Sequence, residues 1–463
     1  MKLAVTFKEL KASGYVPKTV SQEIQANMIA RIRDNKTVFE GLVGYEDSVV
    51  PQLKRAILAG HHINLLGLRG QAKTRIARSM VDLLDEYMPV VEGSEINDSP
   101  FAPISKFAVD TVAARGDQTP IAWVHRSKRF YEKLATPDVN ISDLIGDVDP
   151  IKAATLKLPY SDERVLHYGM IPRANRCIFV LNELPDLQAR IQVALFNILQ
   201  EGDVQIRGFQ LRMPLDLQFV FTANPEDYTN RGSIVTPLKD RIGSQIFTHY
   251  PKSVALARAI TEQEARISPE DQAAVLLSET ARNLLEEVSF VARSSEYVDA
   301  KSGVSARLSI SAMENLVAAG KLRLIESGAS TTRIRLVDFV SIVPSITGKI
   351  ELVYEGEQEG TQSVAHHLIE RAIRSVFSQQ FGNPEKLKKK KDGSPFAEIQ
   401  EWFAAGNELN LLMDESDELR RKNLSAVTGL DALVKRVFPK AAGEEKVLLM
   451  ELVLHGLAAF SLL

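Results

Sequence analysis

Cysteine is almost missing from this chain: of 463 residues, only Cys177 carries a thiol. One cysteine excludes an internal disulfide framework and any cysteine-cluster zinc site. Cys177 opens the apolar run Cys177-Ile178-Phe179-Val180-Leu181, so it reads as a buried structural thiol. An excess of one charge sign is lacking too. Lys and Arg total 56 against 59 Asp and Glu, a formal net charge of −3. No global field therefore favours nucleic acid or an anionic membrane, and no nucleic-acid partner is expected. No apolar run reaches the roughly 18 residues of a transmembrane helix. The N-terminal Met1-Lys2-Leu3-Ala4-Val5-Thr6-Phe7-Lys8 has no sustained apolar stretch of the secretory kind, and a cytoplasmic protein is the expectation. What remains is ordinary globular composition, 45% apolar and 25% charged. The chain is long enough for roughly two to four domains.

The most informative segment is Gly67-Leu68-Arg69-Gly70-Gln71-Ala72-Lys73-Thr74. It follows the apolar run Ile63-Asn64-Leu65-Leu66 and precedes a helix-like segment over 75–86. Strand, glycine loop, helix is the context a phosphate-binding loop needs. Gly67, Lys73 and Thr74 fit G-x-x-x-x-G-K-[ST], while Ala72 replaces the second glycine. Loop N–H groups would face the phosphates, Lys73 would reach the β- and γ-phosphates, and Thr74 would ligate Mg²⁺. The expected cofactor-binding set is Gly67, Leu68, Arg69, Gly70, Gln71, Ala72, Lys73, Thr74 and Arg75, taking ATP with Mg²⁺.

Residues 1–38 read as a helical extension, with a charged helix over 21–35 behind Pro17. A turn at 39–45 and an amphipathic helix over 47–58 follow. From 39 to 252 strand-like runs alternate with helical periods, which reads as α/β with a parallel sheet. The strand candidates are Ile63–Leu66, 90–91, 177–181 and 219–222. The polar stretch 93–159 is too long for a plain loop and is expected to carry helices of its own, one around 125–134. Residues 253–347 read as helical (253–266, 269–292 and 309–319). Residues 348–463 form a further, mostly helical region with a helix over 362–380. The run Lys388-Lys389-Lys390-Lys391 reads as a solvated linker, since no aromatic residues interleave it.

Hydrolysis needs a metal-supporting group and a water-activating group beside the phosphates. The strand 177–181 ends in Asn182-Glu183, at the sheet edge where α/β proteins bind ligands. Glu183 would polarise the attacking water. Asn182 stands where an aspartate would support the metal; an amide can bond a metal-bound water but brings no charge. Asn182→Asp is therefore expected to lower the Mg²⁺ concentration needed. A third strand ends in Thr222-Ala223-Asn224-Pro225, and Asn224 could orient the water. Arg241, in Leu238-Lys239-Asp240-Arg241, and Arg307, opening a helix beyond it, are candidates to neutralise transition-state charge.

In this order the loop, the N-E strand tip, T-A-N-P and K-D-R resemble AAA+ ATPases, in particular the magnesium chelatase I subunit and the MoxR-type ATPases. The Ala-Lys-Thr loop ending, Asp143-Leu144-Ile145-Gly146-Asp147-Val148-Asp149-Pro150, His167-Tyr168-Gly169-Met170-Ile171-Pro172-Arg173-Ala174-Asn175-Arg176 and Asn224-Pro225-Glu226 carry the resemblance. It spans roughly residues 39–320. It implies an AAA+ P-loop core (39–252, with an insertion at about 93–159), a helical lid (253–347), and a homo-oligomeric ring, commonly a hexamer, with ATP between neighbours. Lys73 and Thr74 would bind phosphates and Mg²⁺. Asn182 and Glu183 would be the Walker-B pair, Asn224 sensor 1, Arg241 the arginine finger and Arg307 sensor 2. Arg231 is a further interface candidate, and 204–214, centred on Gly208, resembles the hairpin before sensor 1. The partner implied is commonly a protein with a von Willebrand A domain. Other readings are a magnesium chelatase component and a low-turnover ATP-sensing scaffold, the latter on Asn182. A sigma-54-type activator would need a G-A-F-T-G loop, which the sequence lacks.

Overall fold

The computed structural model describes residues 3–463 except 160–161, 202, 205, 207–212, 226–232, 385–393 and 413–414. Gly208, Arg231 and the lysine run 388–391 lie outside the described residues. The chain divides into two compact units, Met1–His249 and Tyr250–Leu463.

The first unit is built on five parallel strands: β1 (Ile63–Leu66), β2 (Phe130–Leu134), β3 (Cys177–Asn182), β4 (Leu217–Ala223) and β5 (Ser244–Phe247). They lie in the order β5-β1-β4-β3-β2, all pairs parallel. A parallel sheet is covered on both faces, so its strands read as continuous apolar runs. Alternate residues serve opposite faces. Cys177, Phe179, Leu181, Phe219 and Phe221 join one buried cluster, and Ile178, Val180, Val220, Ile63 and Leu65 the other. The second cluster also takes Val20, Ile24 and Met28 from α1 (Val20–Arg33), so this helix is part of the core, while the short helix Phe7–Ala12 before it packs in a separate small cluster. α1 starts sharply because Thr19 and Gln22 form a capping box. α2 (Val49–Leu58) packs beside it, and α3 (Lys73–Ser79) follows the glycine loop.

Several elements differ from expectation. Residues 125–134 are not helical: Ile121–His125 is a strand and Phe130–Leu134 is the edge strand β2. Its F-Y-E-K-L pattern is only partly buried, so a continuous apolar signal is missing. Strand 90–91 exists as Tyr87–Val91, but pairs antiparallel with Ile121–His125 outside the central sheet. β5 is short and half polar, and carries no strand signal. Helices do occur in 93–159, at Lys106–Arg115, Ile141–Leu144 and Pro150–Leu156. Near 204–214, Asp203–Val204 pairs antiparallel with Met213–Pro214.

The second unit is helical. Its longer members are α4 (Val254–Glu264), α5 (Glu279–Arg293), α6 (Arg307–Ser327), α7 (Thr361–Phe381) and α8 (Gly443–Ala459). The helix expected over 269–292 is broken at Val275–Leu276, which pairs with Thr332–Arg333. One buried cluster runs from Val275 to Leu457, so residues 348–463 share a core with the helices before them. Buried ion pairs cross the same span: Arg420 bonds Glu415 at 2.8 Å and also Glu451, while Arg335 bonds Asp417 at 2.9 Å.

Candidate functional site

β1 delivers the chain to the carboxyl edge of the sheet, and the 67–72 loop turns it into α3. Gly70 (φ 71°) and Ala72 (φ 54°) are both left-handed. Ala72 thus keeps the backbone conformation that favours glycine, at a cost of about 1–2 kcal/mol. Gly67 must be glycine, since a Cβ there would stand 1.9 Å from Thr248 Oγ1 and 2.3 Å from Gln71 Oε1. Gln71 is buried, and its Oε1 accepts from the Leu68 N–H at 3.0 Å and the Thr248 hydroxyl at 2.8 Å. The Tyr45 hydroxyl lies 2.9 Å from the carbonyl oxygens of both Gln71 and His249. Tyr45 and Thr248 therefore brace the loop from outside it. Neither was legible as a site residue, because their only signal is proximity in the fold, across 26 residues for Tyr45 to Gln71 and 177 for Thr248 to Gln71. Leu68, Thr74 and Arg75 are half-buried and Arg69 is exposed.

Lys73 is buried at the head of α3. Its Nζ donates to the carbonyls of Gly67 and Leu68 and, at 2.7 Å, to Asn224 Oδ1. Asn224 Nδ2 in turn donates to Glu183 Oε2 at 3.2 Å. The amide thus joins a cation to a carboxylate across the tips of β4 and β3. Glu183 is left-handed as well (φ 55°, ψ 49°), a strained conformation of the kind that functional sites retain. Thr222 holds this turn: its Oγ1 accepts the Glu183 N–H at 3.1 Å and donates to Asn182 Oδ1 at 3.1 Å. Asn182 Nδ2 donates to Glu132 Oε1 at 2.6 Å, and Arg78 bonds Glu132 Oε2 at 2.7 Å. Glu132 went unrecognised because its strand was read as helix.

Lys73, Asn182, Glu183 and Asn224 are therefore brought together, as the sequence reading expects. Arg241 ends the helix Thr236–Arg241, its NH1 donating to the Pro237 carbonyl at 2.8 Å and its guanidinium lying 5.2 Å from the centroid of the Phe196 ring. Arg307 is exposed at the start of α6, in the other unit.

The donor set suits a phosphate-bound magnesium ion, which takes one or two protein oxygens and fills the rest with phosphate and water. Among the described residues no cluster of three His, Cys, Asp or Glu could hold a metal unaided. Thr74 and the Asn182 tip are the groups that would hold it beside a triphosphate.

A parallel sheet in the order 5-1-4-3-2, a glycine loop after β1 and an N-E tip on β3, with β4 between them, match the fold of an AAA+ P-loop domain. The family model for the Sigma-54 interaction domain matches residues 159–242, which include Asn182, Glu183, Asn224 and Arg241. The chain has an AAA+ P-loop fold and is similar in sequence to the magnesium chelatase I subunits. The 38 kDa magnesium-chelatase subunit of Cereibacter sphaeroides is 26% identical over 237 residues, 49% of this chain and 63% of that protein. The chloroplastic subunit ChlI-1 of Arabidopsis thaliana is 26% identical over 214 residues, 45% of this chain and 47% of that protein. The chain thus spans about half to three-fifths of the length of these relatives. A solved BchI–BchD magnesium chelatase complex aligns at 18% identity and a TM-score of 0.36, over 69% of this chain and 98% of that one; a likeness of that degree carries no argument.

Proposed function

We propose that this chain binds ATP with Mg²⁺ at the 67–74 loop, hydrolyses it, and uses the cycle within a homo-oligomeric ring, as a hexamer, to remodel a partner protein. The observation that carries this reading is the continuous array Lys73, Asn224, Glu183 at one sheet edge beside a glycine loop. Bound Mg²⁺ supplies charge neutralisation at the β- and γ-phosphates. Loop N–H groups and Lys73 hold the phosphates, with Thr74 on the metal side. Glu183 accepts the proton of the water that attacks the γ-phosphorus, as the bond to the bridging oxygen breaks and ADP leaves. Asn224 orients that water against the carboxylate. Arg241 acts on the nucleotide of a neighbouring protomer, and Arg307 is the second arginine that neutralises transition-state charge. The partner fits the class that carries a von Willebrand A domain, and the compartment is the cytoplasm.

Steady-state ATPase of the wild type, Lys73→Ala and Glu183→Gln tests the motor. A wild-type rate no higher than the Lys73→Ala background leaves a nucleotide-sensing scaffold instead. The names of the relatives favour one second reading, a chelatase component for Mg²⁺ insertion into porphyrin. ATP-dependent metal insertion reconstituted with chelatase partner subunits decides for it; its absence, with ATPase intact, decides for the remodeller.

A further inference from the structure

The Walker-B position lacks an acid, yet an acid touches it. Glu132 projects from β2, the strand next to β3, with its side chain 24% exposed, and Oε1 lies 2.6 Å from Asn182 Nδ2. This bond fixes the amide: Nδ2 faces Glu132 and Oδ1 accepts from Thr222. An aspartate at 182 would lose this hydrogen bond and set two like charges in contact. The asparagine is therefore the residue that Glu132 requires. Resting on the nucleotide reading above, we propose that Glu132 is the positioning carboxylate on the metal side of the site, the acid and the amide having exchanged strands. The other charged groups at this contact are Arg78 of α3, on Glu132 Oε2, and Glu183, next in the chain to Asn182. Arg78 is largely exposed, so it orients Glu132 without cancelling its charge.

The test is the Mg²⁺ dependence of ATPγS binding, read by calorimetry, for wild type, Glu132→Gln, Asn182→Asp and the double swap, with a melting curve for each. Glu132→Gln raises half-saturating Mg²⁺ about fivefold, the size of one partly screened charge. Asn182→Asp, which loses the bond to Glu132 and sets two like charges together, stays within about twofold of wild type. The double swap returns to the wild-type value. An unchanged Mg²⁺ curve in Glu132→Gln overturns the assignment, whatever happens to its melting point. So does a double swap no better than Glu132→Gln, or an Asn182→Asp gain in Mg²⁺ affinity well beyond twofold. Lys73→Ala runs alongside. If wild type binds ATPγS no better than Lys73→Ala, the nucleotide site itself falls; if wild type binds and Glu132→Gln matches it, only Glu132 loses its role.

Discussion

The central sheet has polar groups at both ends, and they are arranged differently. At the carboxyl end, Lys73, Asn224, Glu183, Thr222, Asn182 and Glu132 form a chain of hydrogen bonds in which neutral groups separate the charged ones, and several members reach solvent. At the amino end the charges are buried, and two of them pair directly. Arg129, 1% exposed, makes two parallel bonds to Glu23, of 2.5 and 2.7 Å. It also donates to the Arg176 carbonyl, while Asp216 accepts the Val20 N–H at 2.8 Å and ties α1 to β4. Burial raises the carboxyl pKa of Asp216, and the Arg176 guanidinium beside it opposes that rise. One end keeps groups that can exchange partners with a ligand; the other has none to exchange. The difference teaches that the amino end clamps α1, β2, β3 and β4 while the carboxyl end is left to chemistry.

The sharpest way to break this contrast is Glu183→Gln. Loss of this carboxylate, in its proposed role of activating the water, should slow turnover by about 10²–10⁴-fold. The change is isosteric and half-exposed, so the melting temperature should hold. A melting point that falls together with the rate would place Glu183 in the fold as well as in the chemistry.

At the other end the expected effect is on stability. Arg129→Ala leaves Glu23 buried without its partner and should cost about 3–5 kcal/mol in urea unfolding. Replacing both, Glu23→Leu with Arg129→Met, removes the uncompensated charge and should recover most of that loss. If the double variant is as unstable as the single one, the pair contributes more than mutual neutralisation, and the clamp depends on its bonds to Arg176 and Asp85.

How much of this was legible differs between the ends. Lys73, Thr74, Asn182, Glu183 and Asn224 stand out because they follow apolar runs directly, and a strand buried on both faces announces its own tip. Ala72 looked like a departure, and its left-handed backbone shows that the loop geometry survives it. Glu132 was missed because Phe130–Leu134 is an edge strand whose identity comes from pairing with β3 rather than from local pattern. The amino-end clamp left no local signal at all. Glu23 and Arg129 are 106 residues apart, and single charges in a polar segment read as surface. The sheet was legible to the extent that its strands are apolar, so three central strands were found while β2 and β5 were not. Arg241 and Arg307 are singled out by the motif order alone, and the contacts described for Arg241 do not bear on the role proposed for it.

A smaller effect should follow from His62, just before β1. Burial holds its imidazole pKa down at about 4, helped by His61, and Nδ1 accepts the Phe219 N–H at 3.3 Å as a neutral ring must. The folded pKa is depressed below the ordinary value of 6.5. The unfolded chain therefore takes up a proton first, and stability present above pH 6.5 is lost as pH falls toward about 4. The ceiling on this contribution is about 3 kcal/mol. Urea midpoints for the wild type and His62→Gln across this range should converge at low pH. Parallel curves would mean that the acid sensitivity lies elsewhere, with Asp216 the next group to examine.

Cys177 gives the gentlest probe, because it reports the amino end without altering it. Burial pushes its thiol pKa up to about 12, even with Arg129 and Arg176 nearby to favour the thiolate. Native protein at pH 8 should therefore react with a thiol reagent only when this end opens, since the thiolate fraction in place is about 10⁻⁴. The informative measurement is the labelling rate with and without Mg²⁺ and ATPγS. A ligand at 100 times its dissociation constant stabilises the bound state by about 2.7 kcal/mol. If the sheet opens only as a whole, with loss of the nucleotide site, labelling should slow by about a hundredfold under those conditions. If labelling continues at the ligand-free rate, the amino end opens by itself and is the weaker end of the sheet. That result would reverse the contrast drawn between the two ends, because the buried ion pairs would then be guarding a seam rather than a clamp.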